Sequence, residues 1–122
     1  MLIYNHMVVE QLSDAEVDQL FHALADATRR DILTRAAAGD LSVSGLARFY
    51  PISVTAIQKH VGVLESAGLV RKNRHGREQI VTTVPAALAA AHQTLDRLEV
   101  MWRERLDRFG EVLSETQHGE DR

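Results

Sequence analysis

The chain contains no cysteine among its 122 residues. That excludes a disulfide framework, a thiolate metal site and cysteine redox chemistry. Aromatic residues are scarce at 5%, with a single tryptophan. No stretch reaches the roughly 18 apolar residues of a membrane-spanning helix. The start of the chain, Met1 to Leu12, has no Lys or Arg ahead of its short apolar run, so a secretory signal is not expected. Met7 is a second candidate start, which makes residues 1–6 an extension. There is no Gly-rich phosphate loop, nucleophile elbow or His-Glu-x-x-His. Ser, His and Asp occur outside any motif, so no catalytic residue is assigned and an enzyme is not expected. Repeats, low-complexity segments and interdomain linkers are also missing. What is there is 45% hydrophobic and 25% charged, the composition of one ordinary soluble domain. A bacterial, cytoplasmic protein is the expectation.

The net charge of −3 hides an uneven distribution. Residues 1–40 carry three basic and seven acidic groups, residues 41–84 six and two, and residues 85–122 five and eight. A basic middle between acidic flanks points to an anionic partner for the middle alone. Arg71, Lys72, Arg74 and Arg77 fall within seven residues that hold no acid. Such a cluster creates a favourable field without specifying a ligand, and a solvated loop carries the same pattern.

Helix signals come in series. Ser13-Asp14-Ala15-Glu16 reads as a capping box ahead of the stripe Val17, Leu20, Phe21 and Leu24. Asp26 can cap a second helix with Ile32, Leu33, Ala36 and Ala37 inward, ended by Gly39. Ser42 can cap a short third helix over 42–50, with Val43, Leu46, Ala47 and Tyr50 apolar and Pro51 as its stop. Ser53 can cap a fourth over 53–67, with Ile57, Val61 and Leu64 inward. Gly68-Leu69 closes it, glycine supplying the left-handed residue and leucine the apolar contact. Two short helices joined by a tight turn have the shape of a helix-turn-helix. The stretch Leu69 to Val84 is β-branched at both ends and holds Asn73 and Gly76 in its middle. It reads as a β-hairpin with a basic tip, both residues tolerating positive φ. Helix-turn-helix followed by hairpin makes an α+β, mostly helical, winged helix.

Pro85 opens a long helix. Leu88, His92, Leu95, Leu98, Trp102, Leu106, Phe109 and Leu113 recur at steps of three and four. So small a chain does not need that stripe to close its own core, and a second copy is its expected cover. A helix lying across its own subunit is the alternative. The expected organisation is an extension over 1–13, a winged-helix and dimerisation domain over 14–115, and a frayed polar tail over 116–122.

Ala25-Asp26-Ala27-Thr28-Arg29-Arg30-Asp31-Ile32-Leu33 resembles the second-helix signature of ArsR-type winged-helix repressors, with Ala27 where the family has Pro. Thr55 to Val70 resembles their recognition helix and the start of their wing. Trp102 to Leu113, with Arg105-Leu106-Asp107, resembles the terminal helix of their metal-independent branch. The resemblance spans about 14–115 and implies a homodimeric bacterial transcription regulator.

Residue chemistry points the same way. A recognition helix enters the major groove by its N-terminal half. The positions facing away from Ile57, Val61 and Leu64 include Val54, Thr55, Gln58 and Lys59. Gln can bond adenine bidentately, Thr and Val can meet a thymine methyl, and Lys can reach guanine or phosphate. Ser53 is first a cap and second a phosphate contact. His60 either packs at the helix–wing junction or meets a phosphate. Arg71, Lys72, Arg74, His75 and Arg77 of the wing are expected beside the sugar–phosphate backbone, where they supply salt-dependent affinity. Of Arg29 and Arg30, one is expected in a salt bridge with Asp26 or Glu78 and the other on a phosphate. Leu88, Leu95, Leu98, Trp102, Leu106, Phe109 and Leu113 are the expected dimer interface.

The resemblance also brings metal sites into view. The best-known one in the family places Cys-Val-Cys on the third helix. Here Asp40-Leu41-Ser42-Val43-Ser44-Gly45-Leu46 has serine at both thiolate positions and glycine at the acidic one, and hydroxyls are poor ligands for soft metals. A second family site uses the last helix, where His92, Asp96 and Glu99 stand. One His with a nearby Asp is short of the three or four ligands zinc requires. His6, His22, His75 and His118 show no ligand spacing. No metal or cofactor is therefore expected. The expected function is sequence-specific binding of double-stranded DNA by a homodimeric autorepressor at a near-palindromic operator, with no membrane partner and an unassigned effector. A winged helix used for protein–protein contact, or a small-molecule-responsive sensor of the same fold, is the alternative. The salt slope of DNA binding separates the first of these.

Overall fold

The computed structural model of the chain describes residues 12–120. Residues 1–11, with Met7 and His6, lie outside the described residues, as do the last two residues of the expected tail and the side chain of His118. The chain order is α1 (Asp14–Leu24), α2 (Ala27–Ala38), β1 (Leu41–Ser42), α3 (Val43–Ala47), α4 (Val54–Ser66), β2 (Val70–His75), β3 (Glu78–Thr83) and α5 (Pro85–Glu120). This is an α+β winged helix-turn-helix with a long C-terminal helix. It divides into two compact units that part between Ala91 and His92.

Side-chain oxygens start the first four helices. Ser13 accepts from the Glu16 amide at 3.1 Å while Glu16 Oε1 accepts from the Ser13 amide at 3.3 Å, a reciprocal capping box. Asp26 accepts from the Arg29 amide at 3.0 Å, Ser42 from Gly45 at 2.9 Å and Ser53 from Ala56 at 3.1 Å. Each bond satisfies an amide that the first turn leaves without a helical partner.

Helix ends follow the sequence less closely. α4 closes through Gly68, at φ 79, with the Gly68 amide on the Glu65 carbonyl and the Leu69 amide on the Leu64 carbonyl. That is the Schellman arrangement, with buried Leu69 behind it. α2 stops at Gly39 as expected, at φ 177, extended backbone that any residue adopts. The third helix is also shorter than the expected 42–50. Beyond Ala47 the chain tightens into bonds three residues back, from Arg48, Phe49 and Tyr50 to Gly45, Leu46 and Ala47. Pro51 disfavours helical geometry in Tyr50. α5 continues through Gly110 to Glu120.

The sheet has the order β1-β3-β2, and both neighbouring pairs are antiparallel. β1 is the element the sequence reading missed, because two residues show no period. Leu41 pairs with Val81 and Ser42 with Ile80. In the hairpin His75 pairs with Glu78, leaving a two-residue turn, Gly76-Arg77, with Gly76 at φ 64. Asn73 was expected to share the turn. It pairs instead with Ile80 inside the ladder, and no residue other than glycine among those described has positive φ.

Leu20, Ile32, Leu46, Ile57, Val61, Leu64, Leu69, Val70 and Val81 form the core of the first unit, each at most 2% exposed. A second contact fixes the turn between α3 and α4. The Tyr50 hydroxyl donates to Asp31 Oδ2 at 2.6 Å, and Arg35 Nε donates to the same oxygen at 2.8 Å. The Arg35 guanidinium lies 4.0 Å from the centre of the Phe49 ring. Nothing in the sequence periodicity announces this four-residue cluster.

The cluster makes a pH prediction. Burial, then the bond to Asp31, pushes the Tyr50 hydroxyl up from 10.0 to about 12. The bonds from Tyr50 and then Arg35 hold the Asp31 carboxyl below the usual carboxylate range. A raised folded value gives stability that is complete below pH 10 and lost as pH rises through about 12. A lowered one gives stability present above its ordinary value of 3.8 and lost as pH falls through the folded value. Tyr50→Phe should therefore lower the denaturant midpoint most between those two values. Its deficit against the wild type should shrink toward both extremes of a pH series; a constant deficit counts against the cluster.

Candidate nucleic-acid interface

α4 buries Ile57, Val61 and Leu64 completely, and that one stripe decides what faces out. Val54, Thr55, Gln58 and Lys59 are exposed, as expected from the helical period. Ser53 is exposed as the cap. His60 turns away from this face. Its Nδ1 lies 3.5 Å from Arg29 Nη1 and 3.9 Å from Asp26 Oδ2, so its neighbours are at the start of α2. The junction with the wing is not where it packs.

Arg29 and Arg30 have a different task from the one expected. Arg29 Nε donates to the Ala23 carbonyl at 2.8 Å and Nη2 to the His22 carbonyl at 2.9 Å. Arg30 Nη1 donates to the Leu24 carbonyl at 2.7 Å. The His22 carbonyl also accepts from the Ala25 amide at 3.2 Å, while those of Ala23 and Leu24 end the helix, and two guanidinium groups supply donors there. The expected salt bridge to Asp26 or Glu78 is replaced by these bonds. Arg29 still acts on Asp26: its amide first, then its charge and that of His60, hold the Asp26 carboxyl below the usual range.

The five basic wing residues separate by strand alternation. Val70, Lys72 and Arg74 share the inward face of β2, opposite Thr83, Val81 and Gln79. Lys72 is engaged by Glu65 of α4 at 3.4 Å. Arg74 and Arg77 open with Gln79 and Glu78 onto a polar groove of about 290 Å³, whose other wall is Val54 and Gln58 of α4 and Val43 and Ser44 of α3. Arg74 Nε also donates to the Gly76 carbonyl at 3.2 Å, which braces the turn. Arg71 and His75 belong to the opposite face of β2. Two of the five basic side chains therefore meet the recognition helix across one groove. Ser44, Glu78 and Gln79 were not among the expected site residues. Strand alternation would have found Gln79 once the register, Arg74 opposite Gln79, was known.

At the family's thiolate positions, Ser42 and Ser44 bring their hydroxyls within 3.3 Å of each other. Ser42 is already the cap of α3, and a Cβ on Gly45 would stand 3.0 Å from its Oγ. In the second unit Leu95, Leu98, Trp102, Leu106, Phe109 and Leu113 are 44–67% exposed. Arg103 pairs with Glu99 one turn earlier on this helix. Leu88, in the first unit, is 54% exposed and lines an apolar groove with Leu33, Leu69 and Val84. Among the described residues no helix is long and apolar enough to cross a membrane.

The fold and the groove can be set beside known proteins. The profile of a family described as a helix-turn-helix domain matches residues 24–73. The HTH-type transcriptional regulator Rv2034 of Mycobacterium tuberculosis is 38% identical over 96 residues, 79% of this chain and 87% of the relative. An ArsR-like transcriptional regulator from Rhodococcus sp. RHA1 superposes with a TM-score of 0.75 at 37% identity, over 82% of this chain and 92% of that one. The winged helix-turn-helix domain of Mb0332 from Mycobacterium bovis, described as homodimeric and as a possible ArsR-family regulator, has a TM-score of 0.54 at 25% identity, over 79% and 88%. The chain belongs to the ArsR-type winged helix-turn-helix family of transcriptional regulators.

The cap at the start of α4 is testable alone. Ser53→Ala should lower unfolding stability by about 1 kcal/mol, the usual cost of losing a serine N-cap. Chemical denaturation measures this, and an unchanged midpoint would show that the Ser53 bond contributes nothing.

Proposed function

We propose that the chain is a sequence-specific double-stranded DNA-binding regulator that acts as a homodimer, autorepressing its own operon from a near-palindromic operator. The observation that carries this is the shared groove, with Gln58 and Val54 on one wall and Arg74 and Arg77 on the other. A duplex seated there meets base-reading and phosphate-binding chemistry together. Thr55 and Lys59 extend the reading face, Ser53 lies at its margin, His75 belongs with Arg71 to the other face of β2, and Lys72 holds the wing to α4 through Glu65. His60 serves by orienting the start of α2, and Arg71 lies off the groove. The body doing this is residues 14–115, placed in the cytoplasm with no resident metal.

The dimer reading rests on the exposed stripe from Leu95 to Leu113, to which we add Leu88, and on the homodimeric state of the Mb0332 domain. Large apolar side chains at that spacing on one helix mark an interaction surface. Sedimentation should give twice 13.6 kDa at micromolar concentration. Trp102→Asp or Leu106→Asp should give monomer, because each puts an unpaired charge into an apolar contact. A wild-type monomer would overturn the reading.

The dimer then places two recognition helices about 34 Å apart on one face of the duplex. Selection of bound fragments from the source genome supplies the operator and tests DNA binding together. On that operator, Gln58→Ala should lose discrimination at one base pair in each half-site, about 1–3 kcal/mol per bidentate contact. Arg74→Ala should weaken all sequences evenly and make the slope of log affinity against log salt shallower by roughly one for each phosphate it no longer neutralises. Competition against point-substituted operators at several salt concentrations measures both. Altered base preference in Arg74→Ala with unaltered preference in Gln58→Ala would make the wing the reader. Absence of any salt-dependent DNA binding would favour a protein-interaction module.

A further inference from the structure

On the opposite side of β2 from the groove lies a second cavity, of about 360 Å³, within the first unit. That is the size of small-ligand pockets. Its walls are mainly apolar, Leu12 and Leu20 from the α1 side and Val84, Ala86, Ala87 and Ala90 from the start of α5, with Gln19 as a neutral polar side chain on the α1 side. The alanines leave the space open where longer side chains would fill it. Two charged groups line it, Arg71 and Glu16. They are not equivalent. Glu16 Oε1 already accepts from both the amide and the hydroxyl of Ser13, at 3.3 and 3.1 Å. The Arg71 guanidinium has no hydrogen-bond or ion-pair partner among the described residues, while Lys72 beside it is paired with Glu65. A mainly apolar cavity with one uncommitted guanidinium suits a ligand with an apolar body and one anionic end.

From this we infer that the cavity is a binding site for an amphipathic monoanion, an apolar carboxylate or sulfonate, with Arg71 holding the anionic group and the alanine face of α5 holding the body. Ser66, Ala67 and Gly68, where α4 ends and turns into the wing, line the same cavity. An occupant therefore bears on the segment that orients α4 against β2. That regulatory consequence rests on the DNA-binding reading; the binding site does not, and the test reads the site alone.

The test uses the full chain and two fluorescent probes of like shape, anionic anilinonaphthalene sulfonate and uncharged phenylnaphthylamine. Both should bind the wild type with one site per chain. Arg71→Gln should weaken the sulfonate about tenfold, the scale of removing one hydrogen bond to a charged group, and leave the uncharged probe unchanged. Ala87→Phe should weaken both by filling the cavity. Arg71 is exposed, so its replacement leaves the core intact and carries the test alone if Ala87→Phe does not fold. Equal sulfonate affinity in Arg71→Gln overturns the assignment. So does a folded Ala87→Phe that binds both probes like the wild type, since the probes then sit elsewhere. Binding that emerges only on dilution to monomer would give the cavity to a second copy of the chain and overturn the ligand site.

Discussion

The outward face of α4 exists because Ile57, Val61 and Leu64 are sealed in the core. A helix with one fully buried stripe cannot rotate about its axis without exposing it, and each large apolar side chain brought to water costs about 1.5–3 kcal/mol. The azimuth of Val54, Thr55, Gln58 and Lys59 is thus set by residues that touch no ligand. The two ends of α4 are set separately. At the start, the Ser53 cap follows a turn held by Tyr50, Asp31 and Arg35. At the end, Gly68 at φ 79 turns the chain directly into β2. Helix, turn and wing are therefore registered by three independent devices.

Much of this was legible in the sequence because local chemistry decides it. All four capping oxygens, the glycine at 68, the proline opening α5 and the inward stripe of α4 come from residue type and a period of 3.6. The failures share a cause. Whether Asn73 belongs to a turn or a ladder depends on register, which residue type alone does not carry. The two-residue strand β1 exists only because β3 offers it an edge. The Asp31–Arg35–Tyr50 contact joins residues up to 19 positions apart. Arg29 and Arg30 show the limit most plainly: basic side chains at a helix start suggest phosphate, yet both are drawn to the carbonyl end of α1.

Charge counted along the chain does not say which face of the wing each group occupies. Five basic groups in the wing looked like one patch. Alternation along β2 sends Arg71 and His75 to the far side, Glu65 engages Lys72, and Arg74 and Arg77 remain at the groove. The field over the groove is accordingly narrower than the sequence cluster implies, and Glu78 at its edge trims it further. The basic middle of the chain thus supplies side chains to both faces of β2.

The turn at Gly76-Arg77 has space around it, with nothing within 4 Å of where a glycine Cβ would stand. The hairpin is therefore free to change length across related chains without disturbing the core, and its geometry makes that change stepwise. One residue added to each strand inverts the faces, carrying the next basic side chain from the groove to the far side. Two residues added to each restore the facing and move the tip outward by roughly 7 Å, at about 3.4 Å per residue. The wing thus behaves as a ruler graduated in pairs. Relatives with the same recognition helix can differ in reach along the duplex by whole steps, while the position of the helix stays fixed.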